Sequence, residues 1–200
     1  MADWLAKIQL DRLDRALIYG VIIAIVLALI AGGLQLDYAW WAFFFRWLHV
    51  LSGVMSIGLL WYFNFVQIPS MPKIPDEQKP AVSKVIAPAA LFWFRWAALA
   101  TVLTGLLLAW VNGYIGQALI LGIGVGGGHA TAIGIGMWLG LIMAYNVWMI
   151  IWPNQQKALG LVEATPDEKK AAARTAMLTS RFNTMFSIPM LYFMVAAKMY

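Results

Sequence analysis

Five long apolar stretches alternate along this chain with short polar segments. They run over residues 16–36, 42–66, 87–111, 130–152 and 173–198, and none contains an aspartate or glutamate. Crossing the hydrocarbon core of a bilayer takes about 20 apolar residues as a helix, and only helices or closed barrels satisfy their backbone there. The pattern therefore predicts an all-α integral membrane protein, a bundle of about five transmembrane helices forming one domain over 1–200. Residues 1–15 read as an amphipathic start of mixed charge (Asp11, Arg12, Asp14, Arg15). No small-residue cleavage site follows the first stretch, so it reads as a retained helix and not as a signal peptide.

The polar segments set an orientation. Lys7, Arg12 and Arg15 precede the first stretch, Lys73, Lys79 and Lys84 lie between the second and third, and Lys157, Lys169, Lys170 and Arg174 lie between the fourth and fifth. The other two connections hold Asp37 and, over 111–117, no charge. Lysine and arginine stay on the cytoplasmic side, so the N-terminus is expected inside a bacterial inner membrane and the C-terminus outside. Trp40, Trp41, Trp110 and Tyr114 would then form an outer aromatic belt, with Trp61 and Trp152 nearer the inner face.

Composition narrows the classes. Charged residues make up 12% of the chain and mean hydropathy is +0.76, which excludes an ordinary soluble domain. The net charge of +5 sits in the cytoplasmic segments, so it gives no argument for nucleic acid. With no cysteine there is no disulfide, no thiolate metal site and no covalent haem attachment. Phosphate-binding glycine loops, the zinc-protease motif and a serine–histidine–acid set have no counterpart in the sequence.

The second and fourth stretches resemble each other. Gly58-Leu59-Leu60-Trp61-Tyr62-Phe63-Asn64 aligns without gaps on Gly140-Leu141-Ile142-Met143-Ala144-Tyr145-Asn146. A proline follows each (Pro69, Pro153), then Pro-Asp-Glu and a lysine, then a stretch with an arginine near its start (Arg95, Arg181). This predicts a duplicated helical hairpin in which both copies share one orientation. The segment 71–87, rich in proline, reads as a rigid loop, and Thr165-Pro166-Asp167-Glu168 as a helix start.

The chemistry rests on two histidines. His49 lies inside the second stretch, and His129 opens the fourth after the glycine run 122–128. An ionisable residue inside a membrane span is a functional-site hypothesis by default. Two histidines on different helices, without cysteine, point to axial ligation of a b-type haem. On this reading Arg46 holds a propionate. Gly53 and Ser56 below His49, and Gly136 below His129, flank the macrocycle. The bland readings are a hydrogen-bonded structural imidazole and close helix packing through small residues.

Arg46-Trp47-Leu48-His49-Val50-Leu51-Ser52-Gly53 and the run Ile57–Gln67 resemble the N-terminal membrane domain of the bacterial cytochrome c-linked urate oxidases (urate hydroxylases). The likeness continues at Phe94-Arg95-Trp96-Ala97, Tyr145-Asn146 and Ser180-Arg181-Phe182-Asn183, from about Trp40 onward. It implies a membrane module associated with redox chemistry, an oxidoreductase component with His49 as the matched histidine. The relatives' C-terminal cytochrome c has no counterpart in these 200 residues, so urate oxidation itself is not carried over. Three functions follow: a haem-binding electron-transfer subunit serving a periplasmic cytochrome c, a non-catalytic subunit of a larger respiratory, photosynthetic or oxidase complex, or a small transporter. All three have the bilayer as partner, and the first two add other membrane subunits.

Overall fold

A computed structural model describes residues 9–33, 35–124 and 127–200. Most of the expected amphipathic start, Leu34, and Val125 and Gly126 of the glycine run lie outside the described residues. Every regular element described is helical. Four helices are long and apolar enough to cross a membrane, spanning Leu13–Ile30, Tyr38–Lys73, Lys79–Val111 and Gly128–Ala158. The chain is a multi-pass, all-α membrane protein.

It divides into two compact units, 1–43 and 44–200. In the first, helix α1 (Leu13–Ile30) exposes all of its described side chains or leaves them half-exposed. It ends in a Schellman turn: Gly32, at φ +71°, donates to the carbonyl of Leu29, and Gly33 to that of Ala28. That stop falls several residues before the expected end at 36. Helix α2 (Tyr38–Trp61) then starts on Asp37, whose carboxylate accepts from the amide of Trp40 at 2.8 Å.

In the second unit, the helices are longer than the apolar stretches that announced them. Helix α2 runs through a π-helical turn (Tyr62–Gln67) and two short turns to Lys73. The next helix begins at Lys79, passes a second π turn (Val82–Ile86) and continues as α3 (Ala87–Val111). The expected rigid loop 71–87 shrinks to a few residues around Pro75. After the short α4 (Ile115–Leu119), α5 (Gly128–Tyr145) enters a third π turn (Asn146–Ile151) and becomes α6 (Trp152–Ala158).

Prolines explain this. Each π turn ends two residues before one: Gln67 before Pro69, Ile86 before Pro88, Ile151 before Pro153. Proline lacks an N–H, and its ring clashes with the carbonyl four residues back. Here the residue preceding each proline bonds five back instead: Ile68 to Phe63, Ala87 to Val82 and Trp152 to Val147. One extra residue in the turn makes room for the ring, so the helix absorbs the proline instead of stopping.

The last helix, α7 (Pro166–Ala196), begins with a capping box in which Thr165 and Glu168 satisfy each other's backbone amides. It is about 46 Å long at 1.5 Å per residue. Its two faces differ sharply. Ala172, Ala176, Ser180, Asn183, Ser187 and Met190 are buried, whereas Leu178, Phe182, Met185, Ile188, Tyr192 and Val195 are exposed. Ser180, Asn183 and Ser187 face the bundle while these large apolar side chains face out, although Arg174, Thr175 and Arg181 are exposed as well.

The core lies between the two expected hairpins. Leu60 and Phe63 meet Leu91 and Phe94, and Val147 and Ile151 join them. Polar bonds tie α7 to the first helix of each hairpin: Asn64 donates to Ser180 Oγ at 2.7 Å, and Asn146 to Asn183 Oδ1 at 2.8 Å. Trp61, expected at the interface, instead turns its Nε1 inward to Ser187 Oγ at 2.9 Å.

Candidate functional site

His49 lies on α2 facing α3. Its Nδ1 is 2.9 Å from the carbonyl oxygen of Thr101. A carbonyl only accepts, so Nδ1 carries the proton and Nε2 keeps the lone pair. The same carbonyl is approached by the Thr104 hydroxyl at 3.3 Å, while Thr101 sends its own hydroxyl back to the carbonyl of Ala97 at 2.7 Å. The imidazole lies against Gly105, where an added Cβ would come within 2.8 Å of the ring's Cε1. Glycine is therefore the residue that seats this histidine. Gly53, one turn below His49, faces Thr101 at ordinary contact distance, and Ser56 is buried.

His129 repeats the arrangement at the start of α5. Its Nδ1 is 2.8 Å from the carbonyl of Ala197, at the end of the chain's last helix. Tyr114 meets the ring edge-on, with centroids 5.9 Å apart and planes at 89°. Burial pushes the Tyr114 hydroxyl above its ordinary pKa, and the charge of Arg46 acts in the opposite direction. Arg46 itself is exposed. Arg46, one turn from His49, thus shares an end of the bundle with Tyr114 and His129.

The remaining expected site residue is placed by packing. Gly136 faces Met194 of α7, whose backbone nitrogen and Cγ would lie 3.2 Å from an added Cβ. Its bare surface admits a helix. Gly134 does the same for α4: an added Cβ there would collide with the carbonyl of Ala118. Sequence reasoning found both histidines but missed Thr101, Gly105, Tyr114 and Ala197. Two of these act through backbone carbonyls, which leave no trace in residue type. No group of three or more histidine, cysteine, aspartate or glutamate side chains gathers among the described residues, so any metal here would rest on the histidines and an exogenous ligand.

The family model described as "Urate oxidase N-terminal" matches residues 121–199. The resemblance read from the sequence is real. It is carried by the second hairpin, which holds His129, Tyr145-Asn146 and Ser180–Asn183, while the run Arg46–Gln67 lies outside the matched residues. No curated protein matches the chain, and no solved structure matches it.

Proposed function

We propose that this chain is a redox-associated membrane subunit that binds b-type haem through His49 and His129. The observation that carries the reading is shared by both rings. Each donates Nδ1–H to a backbone carbonyl on another helix, at 2.9 and 2.8 Å, and leaves Nε2 as the free base. That bond fixes tautomer and ring orientation and raises the basicity of the other nitrogen, as it does for most metal-bound imidazoles. A haem b supplies a one-electron iron couple when bound. Arg46 sits at the same end, where its guanidinium would pair with a propionate. Gly105 holds the His49 ring in place. The family name, with its oxidase, supports redox association; urate chemistry is not part of the proposal.

On this reading α7 is a fifth membrane crossing, its polar ridge turned inward, and the basic segments lie in the cytoplasm of a bacterial inner membrane. The histidine end then faces a periplasmic electron partner such as a cytochrome c. A reduced-minus-oxidised visible spectrum of the purified protein in detergent, with a pyridine haemochrome assay, tests the proposal. A b-type band near one haem per chain is expected, lost in His49→Ala and in His129→Ala. A flat spectrum refutes it.

One observation favours a second reading, a non-catalytic subunit of a larger membrane complex. Each histidine already bridges two helices, which is sufficient structural reason for the imidazole, half-buried at His49 and exposed at His129. This reading expects no chromophore, and a stable partner after mild solubilisation.

A further inference from the structure

Away from the histidines, α3 and the helix α5–α6 leave an open groove of about 390 Å³ between them. Leu99 and Val102 line one wall, and Leu141, Ala144, Trp148 and Met149 the other. The repeat explains its existence. Ala144 occupies the register held by Tyr62 in the first copy, and the smaller side chain leaves space. On α3, Arg95, Leu99 and Val102 fall at i, i+4 and i+7, on one face. Arg95 is therefore one turn beyond the groove, toward the basic end of the helix.

The guanidinium there is shaped by its surroundings. Its carbon lies 3.6 Å from the centroid of Trp152 and 5.6 Å from that of Phe92. Trp148, a wall of the groove, donates Nε1 to the carbonyl of Arg95 at 3.1 Å. Among the described residues no carboxylate pairs with Arg95. The same end of the bundle carries Lys84, Lys157 and Arg174. An apolar channel capped by an oriented, unneutralised cation matches one kind of molecule, with a hydrocarbon tail and an anionic head.

We propose that this groove binds an anionic phospholipid, with an acyl chain between α3 and α5 and the phosphate on Arg95. Stacking on Trp152 holds the guanidinium's plane while its N–H edges stay free to donate to phosphate oxygens. The site is independent of haem.

Native mass spectrometry of the protein in mild detergent tests it, with phosphatidylglycerol and phosphatidylcholine of identical chains supplied in equal amounts. Wild type should retain the anionic lipid about fivefold over the zwitterionic one, the worth of one basic residue at an anionic surface. Arg95→Gln should bring the ratio to about one, and Arg95→Lys, which keeps the charge but loses the stacked fork, should keep only part of it. Ala144→Phe should lower retention of both lipids by filling the groove. Circular dichroism and gel filtration of each variant separate lost binding from lost folding. Equal retention of both lipids by wild type overturns the proposal. So does a preference unchanged in Arg95→Gln, or displacement of bound lipid by an uncharged isoprenoid quinone or by a second copy of the chain.

Discussion

Asn183 is fully buried, and replacing it with alanine removes two bonds at once. Its Oδ1 accepts from Asn146 Nδ2 at 2.8 Å, and its Nδ2 donates to the carbonyl of Met143 at 2.9 Å. Asn146, itself 7% exposed, is left with an amide pointing at a methyl group. Hydrogen bonds between membrane helices average about 0.6 kcal/mol and reach about 1.7. Leaving a buried donor unpaired costs about 1–3 kcal/mol. The single change Asn183→Ala should therefore destabilise by about 2–3 kcal/mol. Asn146→Ala should cost about 1–2 kcal/mol, because Asn183 keeps its bond to Met143. In the double variant no donor is orphaned at position 146, so the loss should fall short of the sum by about 1 kcal/mol. Titration of detergent micelles with dodecyl sulfate, followed by the fluorescence of the 11 tryptophans, gives these values as midpoints and slopes. Additive losses, or a cost below about 0.5 kcal/mol for Asn183→Ala, would refute the claim that this pair fastens α7 to the helix α5–α6.

Three further outcomes follow. Gly105→Ala places a methyl 2.8 Å from His49 Cε1 and should cost about 1–3 kcal/mol by overpacking; a stability equal to wild type would mean that His49 is free to move aside. Thr165→Ala should cost about 1 kcal/mol by loss of the N-cap. The bonds from Thr165 hold the Glu168 carboxyl below its ordinary 4.5, so their contribution is complete above that pH and fades as pH falls through the lowered folded value. The gap between wild type and Glu168→Ala should shrink in acid, and a gap constant with pH refutes the linkage. Pro153→Ala restores an N–H and removes the ring clash, so the third π turn should revert to α-helix. Labelling a single cysteine placed at position 157, in a chain with no cysteine of its own, should then report a changed exposure; an unchanged one would show that proline does not cause the turn.

Much of this arrangement was legible in the chain, and the misses have physical causes. The apolar runs located four crossings because nothing else makes such runs in a protein of this size. Their ends were misplaced because proline reads as a stop, whereas a π turn lets the helix continue past it. The repeat aligns Asn64 with Asn146, and both reach α7. Their partners, Ser180 and Asn183, differ because the two copies meet different turns of that helix. The π turns do not follow the repeat's register: the first begins two residues before its asparagine and the third at its asparagine, each set by the distance to its own proline. The histidines were conspicuous, but the carbonyls that orient them were not, since any residue offers one. The run around His49 carries the resemblance in the sequence, yet the family match lies in the other half of the chain.

The three π turns all fall on the basic side of their helices, leaving the halves that carry His49, Thr101, Gly105 and His129 regular. One residue of register is worth about 100° of rotation and 1.5 Å of rise. A proline gained, lost or moved by one position near 69, 88 or 153 can therefore re-aim the lysine-bearing segments while the opposite ends keep their packing. The molecule has, in effect, a swivel joint in each of three helices. Its two ends can adapt to different neighbours separately, and what docks at one need not constrain the packing at the other.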